Sequence, residues 1–260
     1  MIVIGTSGYY FTDWVGSFYP EKLGKDRWLQ HYSEHFNTVE INMTYYGLPK
    51  KETVMKWVDQ TPDNFTFITK LNKESTHIRK QGGEEINDLL ECISPLIDSR
   101  KLKGLLAQFP ASFHAGDVEK QYLSALIEKS KGIKIFAEFR HKSWDNESTV
   151  ELCRNLGYGW VAVDQPNLSG LANARPAVAG KFGYVRFHGR NKTTWYNPKA
   201  GDRYDWSYSD KELHEWTPRI KSMAQRAETT YLFFNNCHAG QAIKSAMRLK
   251  QLLKNQFEVF

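Results

Sequence analysis

Short apolar runs and amphipathic segments alternate along the whole chain. Runs with strand-like alternation or continuous apolar character fall at residues 1–5, 38–42, 65–70, 104–108, 133–137, 160–164, 184–188 and 230–234. Between them apolar residues recur at helical spacing. Trp28, Leu29, Tyr32 and Phe36 form one such set, Val118, Tyr122, Leu126 and Ile127 another, and Ile243, Ala246, Leu249 and Leu253 the last. Further helices are expected at 48–57, stopped by Thr61-Pro62, at 84–97 with Pro95 in the last turn or at a kink, around 150–156 and closed by Gly157, and at 213–226. Segment 165–180 is less regular, and 189–210 reads as a long polar-aromatic loop. Strand and helix alternate eight times with no linker-like shift in composition and no internal repeat. This predicts a single-domain α/β protein over residues 1–260, a (β/α)8 TIM barrel, with a doubly wound open sheet as the alternative; the strand count favours closure.

In a barrel, residues of one parity point inward and the others pack under the helices. Val39 and Ile41 share one face of their strand, so Glu40 and Asn42 share the other. The same reasoning gives an inward set of Glu40, Asn42, Lys70, Glu138, Arg140, Asp164, Arg186 and His188. Gln108 and Asn235 are added to it, although their strands are too uniformly apolar to assign by alternation. All fall at C-terminal strand ends, where barrel enzymes keep their sites. Acids and bases gathered there either form a site or neutralise one another in a buried network.

Arg140, Arg186 and Lys70 suit an anion, because guanidinium groups bind phosphate or carboxylate in a bidentate way. The 186–189 turn faces the 235–240 turn, a place where barrels hold phosphate. In this reading Glu138 or Glu40 is the general base and His188 the general acid or electrophile. Tyr9, Trp14, Trp144, Trp195 and Tyr196 would stack on a base or sugar, with His141, Ser143 and Trp144 at the rim. Gly5 and Gly8 allow a tight turn and close backbone approach to a ligand, and on the glycines alone a flexible βα turn is the favoured reading. Glu40, Glu138, Asp164 and His188, with His77 or His141, are also ligand types for a divalent metal, but no HxxxH spacing supports a site and no ligand is assigned.

Composition narrows the partners. A formal charge of +6 and a pI near 9.0 fit an anionic partner, a small molecule or nucleic acid, although the basic residues are scattered and form no tail. Cys92, Cys153 and Cys237 form no CxxC, which favours a reducing compartment. No apolar run is long enough for a membrane span and no secretory signal is evident, so the cytoplasm is expected. The absence of GxGxxG, GxxxxGK[ST] and GxSxG argues against dinucleotide binding, P-loop chemistry and a nucleophile-elbow hydrolase. Gln108 and Arg186, at positions where a glycosidase would carry acids, argue against that class.

The segments Gly5-Thr6-Ser7-Gly8-Tyr9, Phe18-Tyr19-Pro20, Thr38-Val39-Glu40-Ile41-Asn42, Glu138-Phe139-Arg140-His141-Lys142-Ser143-Trp144, Arg186-Phe187-His188-Gly189 and Phe234-Asn235-Asn236 occur in this order. Together they resemble the YecE-like family, domain of unknown function seventy-two. The resemblance spans nearly the whole chain and implies a TIM barrel of the endonuclease IV and xylose isomerase type, without a settled activity. The His-rich metal-ligand pattern of those enzymes is not matched here, and Arg140 and Arg186 stand where ligands would be convenient. The leading expectation is an enzyme acting on a phosphate-containing ligand, a nucleotide or nucleic acid, as a phosphoric-ester hydrolase would. The alternatives are a metal-dependent hydrolase similar to endonuclease IV and a non-catalytic module that binds nucleic acid or protein.

Overall fold

Each apolar run becomes a parallel strand. The computed structural model describes residues 1–80, 82–196, 202–254 and 259; the part of the predicted long loop at 197–201 lies outside the described residues. The strands are β1 (Ile2–Thr6), β2 (Thr38–Ile41), β3 (Thr66–Lys70), β4 (Leu102–Phe109), β5 (Ile135–Phe139), β6 (Gly159–Trp160), β7 (Ala162–Asp164), β8 (Phe182–Phe187) and β9 (Thr229–Phe234). They form two parallel ladders, β2-β3-β4-β5-β6 and β1-β9-β8-β7. The predicted sixth strand is split between them. Its first half pairs with β5, Val161 N–H still donates to the Ala137 carbonyl at 3.0 Å, and its second half pairs with β8. At the other seam β1 and β2 meet at one bridge, Ser7 to Glu40. The strands thus encircle one axis as a TIM barrel whose hydrogen-bonding is not a continuous ring. Gly5 belongs to that seam: a Cβ there would lie 2.4 Å from the Thr38 carbonyl oxygen, so the glycine serves strand-to-strand approach and not a ligand.

The barrel interior is apolar in its lower layers. Val3, Ile68, Leu106, Phe136, Val161, Val163, Tyr184, Tyr231 and Phe233 pack there as a cluster of their own. Their neighbours of opposite parity, such as Val39, Ile41, Phe67, Ala107 and Val185, join the larger core under the helices. The inward parity then carries Glu40, Lys70, Gln108, Glu138, Arg186 and Asn235 upward to the C-terminal rim.

The helices are α1 (Trp28–Ser33), α2 (Lys51–Asp59), α3 (Ile86–Cys92), α4 (Ser94–Asp98), α5 (Asp117–Lys129), α6 (Glu147–Leu156), α7 (Asp210–Arg226) and α8 (Gln241–Lys254). Two expectations change. The helix predicted at 84–97 breaks at Ile93, with Pro95 in the first turn of α4, where a missing N–H costs nothing. The alternation also lapses once, because residues 165–180 between β7 and β8 contain no helix. No helix among the described residues is long and apolar enough to cross a membrane.

Candidate functional site

Strand alternation delivers Glu40, Glu138 and Arg186 to the axis, and there they pair. Arg186 Nη2 and Nε donate to Glu40 Oε1 and Oε2 at 2.6 and 3.0 Å, and its Nη1 donates to Glu138 Oε2 at 2.6 Å. Tyr184 OH donates to Glu40 Oε2 at 2.5 Å. Arg140 Nε lies 2.6 Å from Glu138 Oε1, an ion-pair contact that lacks the alignment of a hydrogen bond. His188 Nε2 donates to the same oxygen at 3.1 Å, while its Nδ1 accepts from the Asn235 amide at 3.0 Å. All of these acids and bases are buried.

Two carboxylates and two guanidiniums therefore cancel. Burial alone would raise the Glu138 pKa, but Arg140, Arg186 and His188 outweigh it and hold the carboxyl well below its usual range. Burial and the nearby Arg140 push His188 down to about 3, so it is a neutral donor at pH 7. The expected general bases and general acid are thus committed to structure. Glu138 is a salt-bridged anion with little basicity, Glu40 is bidentate to Arg186, and His188 is sealed from solvent.

Above this network lies a cleft of about 350 Å³. Lys70, Arg140, Arg203 and His77 bring nitrogen to it, Gln108 an amide, and Tyr45, Trp195, Tyr196 and Tyr204 its aromatic walls; among the described residues no carboxylate lines it. Lys70 Nζ donates to Gln108 Oε1 at 2.8 Å and sits 4.4 Å from the Tyr45 ring centroid. Trp195 is approached by the guanidiniums of Arg140 and Arg203 at 5.6 and 5.8 Å. Among the described residues neither Lys70 nor Arg203 has a carboxylate within 4.0 Å. With the inner network neutral, these two are the cleft cations left without an acid among the described residues. Burial, with Arg186 next, lowers the Lys70 pKa to about 7, and burial, with Lys70 next, lowers His77 to about 4.

The other expected site residues land elsewhere. Asp164 points outward, because Val161 and Val163 take the interior of their strand. There it accepts from Trp216 Nε1, Tyr208 OH and Arg190, holding α7 to the barrel. Trp144 is no rim platform: it is fully buried, stacks on Phe139 and Phe113, and donates to the Phe113 carbonyl at 2.7 Å. Trp14 is likewise buried, bonded to the Cys237 carbonyl. Tyr9 and Asn42 border a separate, mainly apolar cleft of about 520 Å³ with Tyr10, Phe11 and Trp57. Asn235 acts through His188. Tyr45, Arg203 and Tyr204 line the cleft without a role assigned from the sequence, and the sequence offers His77 there only as a metal ligand. They sit on βα loops, which carry no periodic signal; their position just beyond strand ends or within a polar-aromatic loop was the available cue.

A metal does not fit the mouth. Glu40 and Glu138 have their oxygens turned to arginines, Asp164 faces away, and His141 stacks on His114 at the rim. Among the described residues the ligand types that do cluster are His31, Glu34 and His35, at the end of α1.

The network also sets the acid limit of the fold. His188 takes a proton at 6.5 when unfolded but only near 3 when folded, and Glu138 is depressed in the same sense. The unfolded chain therefore binds more protons, and stability falls as pH drops from about 6.5 through the folded values. Thermal melts are expected to fall steadily below pH 6.5, and His188→Gln should flatten the part above pH 4.5. An unchanged slope in that variant would remove His188 from the account.

The family model described as "Protein of unknown function DUF72" matches residues 3–260. The crystal structure of a DUF72 family protein from Thermotoga maritima superposes with a TM-score of 0.91 at 39% identity, covering 98% of this chain and 99% of that one. The UPF0759 protein YunF of Bacillus subtilis is 30% identical over 274 residues, 99% of this chain and 96% of that protein. The UPF0759 protein YecE of Escherichia coli K12 is 34% identical over 184 residues, 70% of this chain and 62% of its own length.

Proposed function

The chain belongs to the DUF72 family, whose function is unknown, and from that premise and the mouth geometry we propose that it is an enzyme acting on a phosphate-bearing ligand with a ring, a nucleotide or the end of a nucleic acid. One observation carries the reading: Lys70, Arg140 and Arg203 converge on a cleft with aromatic walls and, among the described residues, no acid in its lining. A desolvated site of this kind favours a compact anion, and Arg203 adds a planar donor set suited to phosphate oxygens. Trp195, Tyr45 and Tyr204 supply π faces for the ring. The Glu40–Arg186–Glu138 network is the rigid floor that aims Arg140. Proton transfer falls to Lys70 and His77, whose lowered pKa values leave free base near neutral pH. A metal-dependent hydrolase finds no support in this donor set.

Calorimetry with adenosine monophosphate, adenosine and sulfate tests the reading. The monophosphate is expected to bind at least tenfold more tightly than adenosine, with affinity falling as salt rises. Arg203→Gln should weaken the monophosphate roughly tenfold, the loss of one charge-assisted hydrogen bond. Failure of both monophosphate and sulfate to bind would overturn the proposal.

A further inference from the structure

We propose that Lys70 is a nucleophile that captures an aldehyde or ketone bearing an anionic group, forming an imine at its Nζ in the cleft. This rests on the anion-binding reading above and goes beyond it in naming the reacting group. Lys70 ends β3 at the C-terminal face, and its amine lines the cleft instead of being tied up beneath it. Among the described residues it makes one side-chain hydrogen bond, to Gln108 Oε1. Lys101 is the contrast within the same fold. That side chain is buried, and its amine donates to the Val58 carbonyl, the Thr61 carbonyl and Thr61 Oγ1 at 2.8, 2.7 and 3.1 Å. Lys101 is a structural cation, whereas Lys70 keeps a side open to a ligand.

The surroundings of Lys70 keep it reactive. From β8 and β5 it faces the cations Arg186 and Arg140; from β2 and β5 it faces Glu40 and Glu138, whose charge Arg186 and Arg140 already take up. Tyr45 lies beneath its amine and edge-on to His77, 5.0 Å between ring centroids. At neutral pH a large share of Lys70 is the free amine, which is the nucleophilic form. In the reaction the nitrogen lone pair bonds to the carbonyl carbon and the C=O electrons move to oxygen. The resulting carbinolamine then expels that oxygen with both amine hydrogens as water, leaving C=N. No oxidant or reductant is consumed. The His77 ring can carry one of these protons. Its Nδ1 bonds Thr76 Oγ1 at 2.9 Å, and the Thr76 hydroxyl in turn donates to the Asn72 carbonyl, which leaves Nε2 as the acceptor. Arg140 and Arg203 would hold the anionic group, which fixes the carbonyl over the amine.

The test is reductive trapping on the intact chain. Pyridoxal 5′-phosphate serves as an anionic aldehyde, pyridoxal as the same aldehyde without the anion, and borohydride followed by peptide mapping locates the adduct. Lys70 is expected to be labelled at least tenfold faster than any exposed lysine, with a rate that rises through about pH 7, and at least tenfold more slowly by pyridoxal. Lys70→Arg should abolish cleft labelling, and Lys101→Arg should leave it unchanged. Label spread over surface lysines with Lys70 no faster than they are overturns the proposal. If sulfate still binds in that case, the anion reading survives alone; if sulfate does not bind, both fall.

Discussion

Replacing Arg186 with methionine is expected to destabilise the folded chain by about 3–5 kcal/mol, the cost of leaving buried charge without its partner. Arg186 is 1% exposed and touches both Glu40 and Glu138. Without it, Glu138 keeps Arg140 and His188, but among the described residues Glu40 keeps only the Tyr184 hydroxyl. Glu40 is then a buried carboxylate without its guanidinium, which costs free energy. At about 2–4 °C per kcal/mol for a chain of this size, the melting temperature should fall by about 6–20 °C. The double variant Glu40→Gln/Arg186→Met removes the stranded charge and should recover part of the loss. Urea unfolding of the two single variants and the double variant measures this. Additive losses with no recovery would mean that the pair is not a coupled unit.

This network marks the boundary of what sequence patterning conveys. Glu40 is legible as inward because Val39 and Ile41 flank it and must be buried together. The barrel is legible for the same reason, repeated from strand to strand. What alternation cannot give is which inward acid meets which inward base. Arg186 and Glu40 are 146 residues apart, and their contact follows from barrel closure. Asp164 shows how a polar strand tip misleads. Val161 and Val163 claim the interior, so the next residue turns outward to Trp216 and Arg190, whatever its charge. Trp144 misleads in another way. It leaves the strand where a ligand platform could stand, but Phe113, arriving from the loop after β4, covers it. Arg203 and His77 reach the cleft from loops, where no period constrains direction, and only the folded chain shows them beside Lys70.

Anion affinity at the cleft is expected to fall as pH rises through about 7, and Lys70 is the reason. Sulfate is the suitable probe, since its own charge is constant over this range, whereas a phosphate monoester gains charge near pH 6 and would mask the trend. Below pH 7 the lysine is a cation facing the anion; above it the amine is neutral and the attraction is lost. The same shift has a stability sign. The folded amine binds its proton less tightly than the unfolded one, so its contribution to stability improves as pH rises from about 7 toward the unfolded value of 10.5. Lys70→Met is therefore expected not to lower the melting temperature at pH 6, because it removes a costly buried charge. It should nevertheless weaken sulfate binding by roughly tenfold to a hundredfold at that pH, about 1.5–3 kcal/mol for one charge-assisted contact, and leave the residual affinity nearly independent of pH. Lys70→Arg keeps the charge at every pH and should hold its sulfate affinity at pH 8.5, where the wild type has lost it. If the wild-type affinity is flat from pH 6 to 8.5, Lys70 is not the group that reads the anion, and Arg140 with Arg203 would have to carry the site without it.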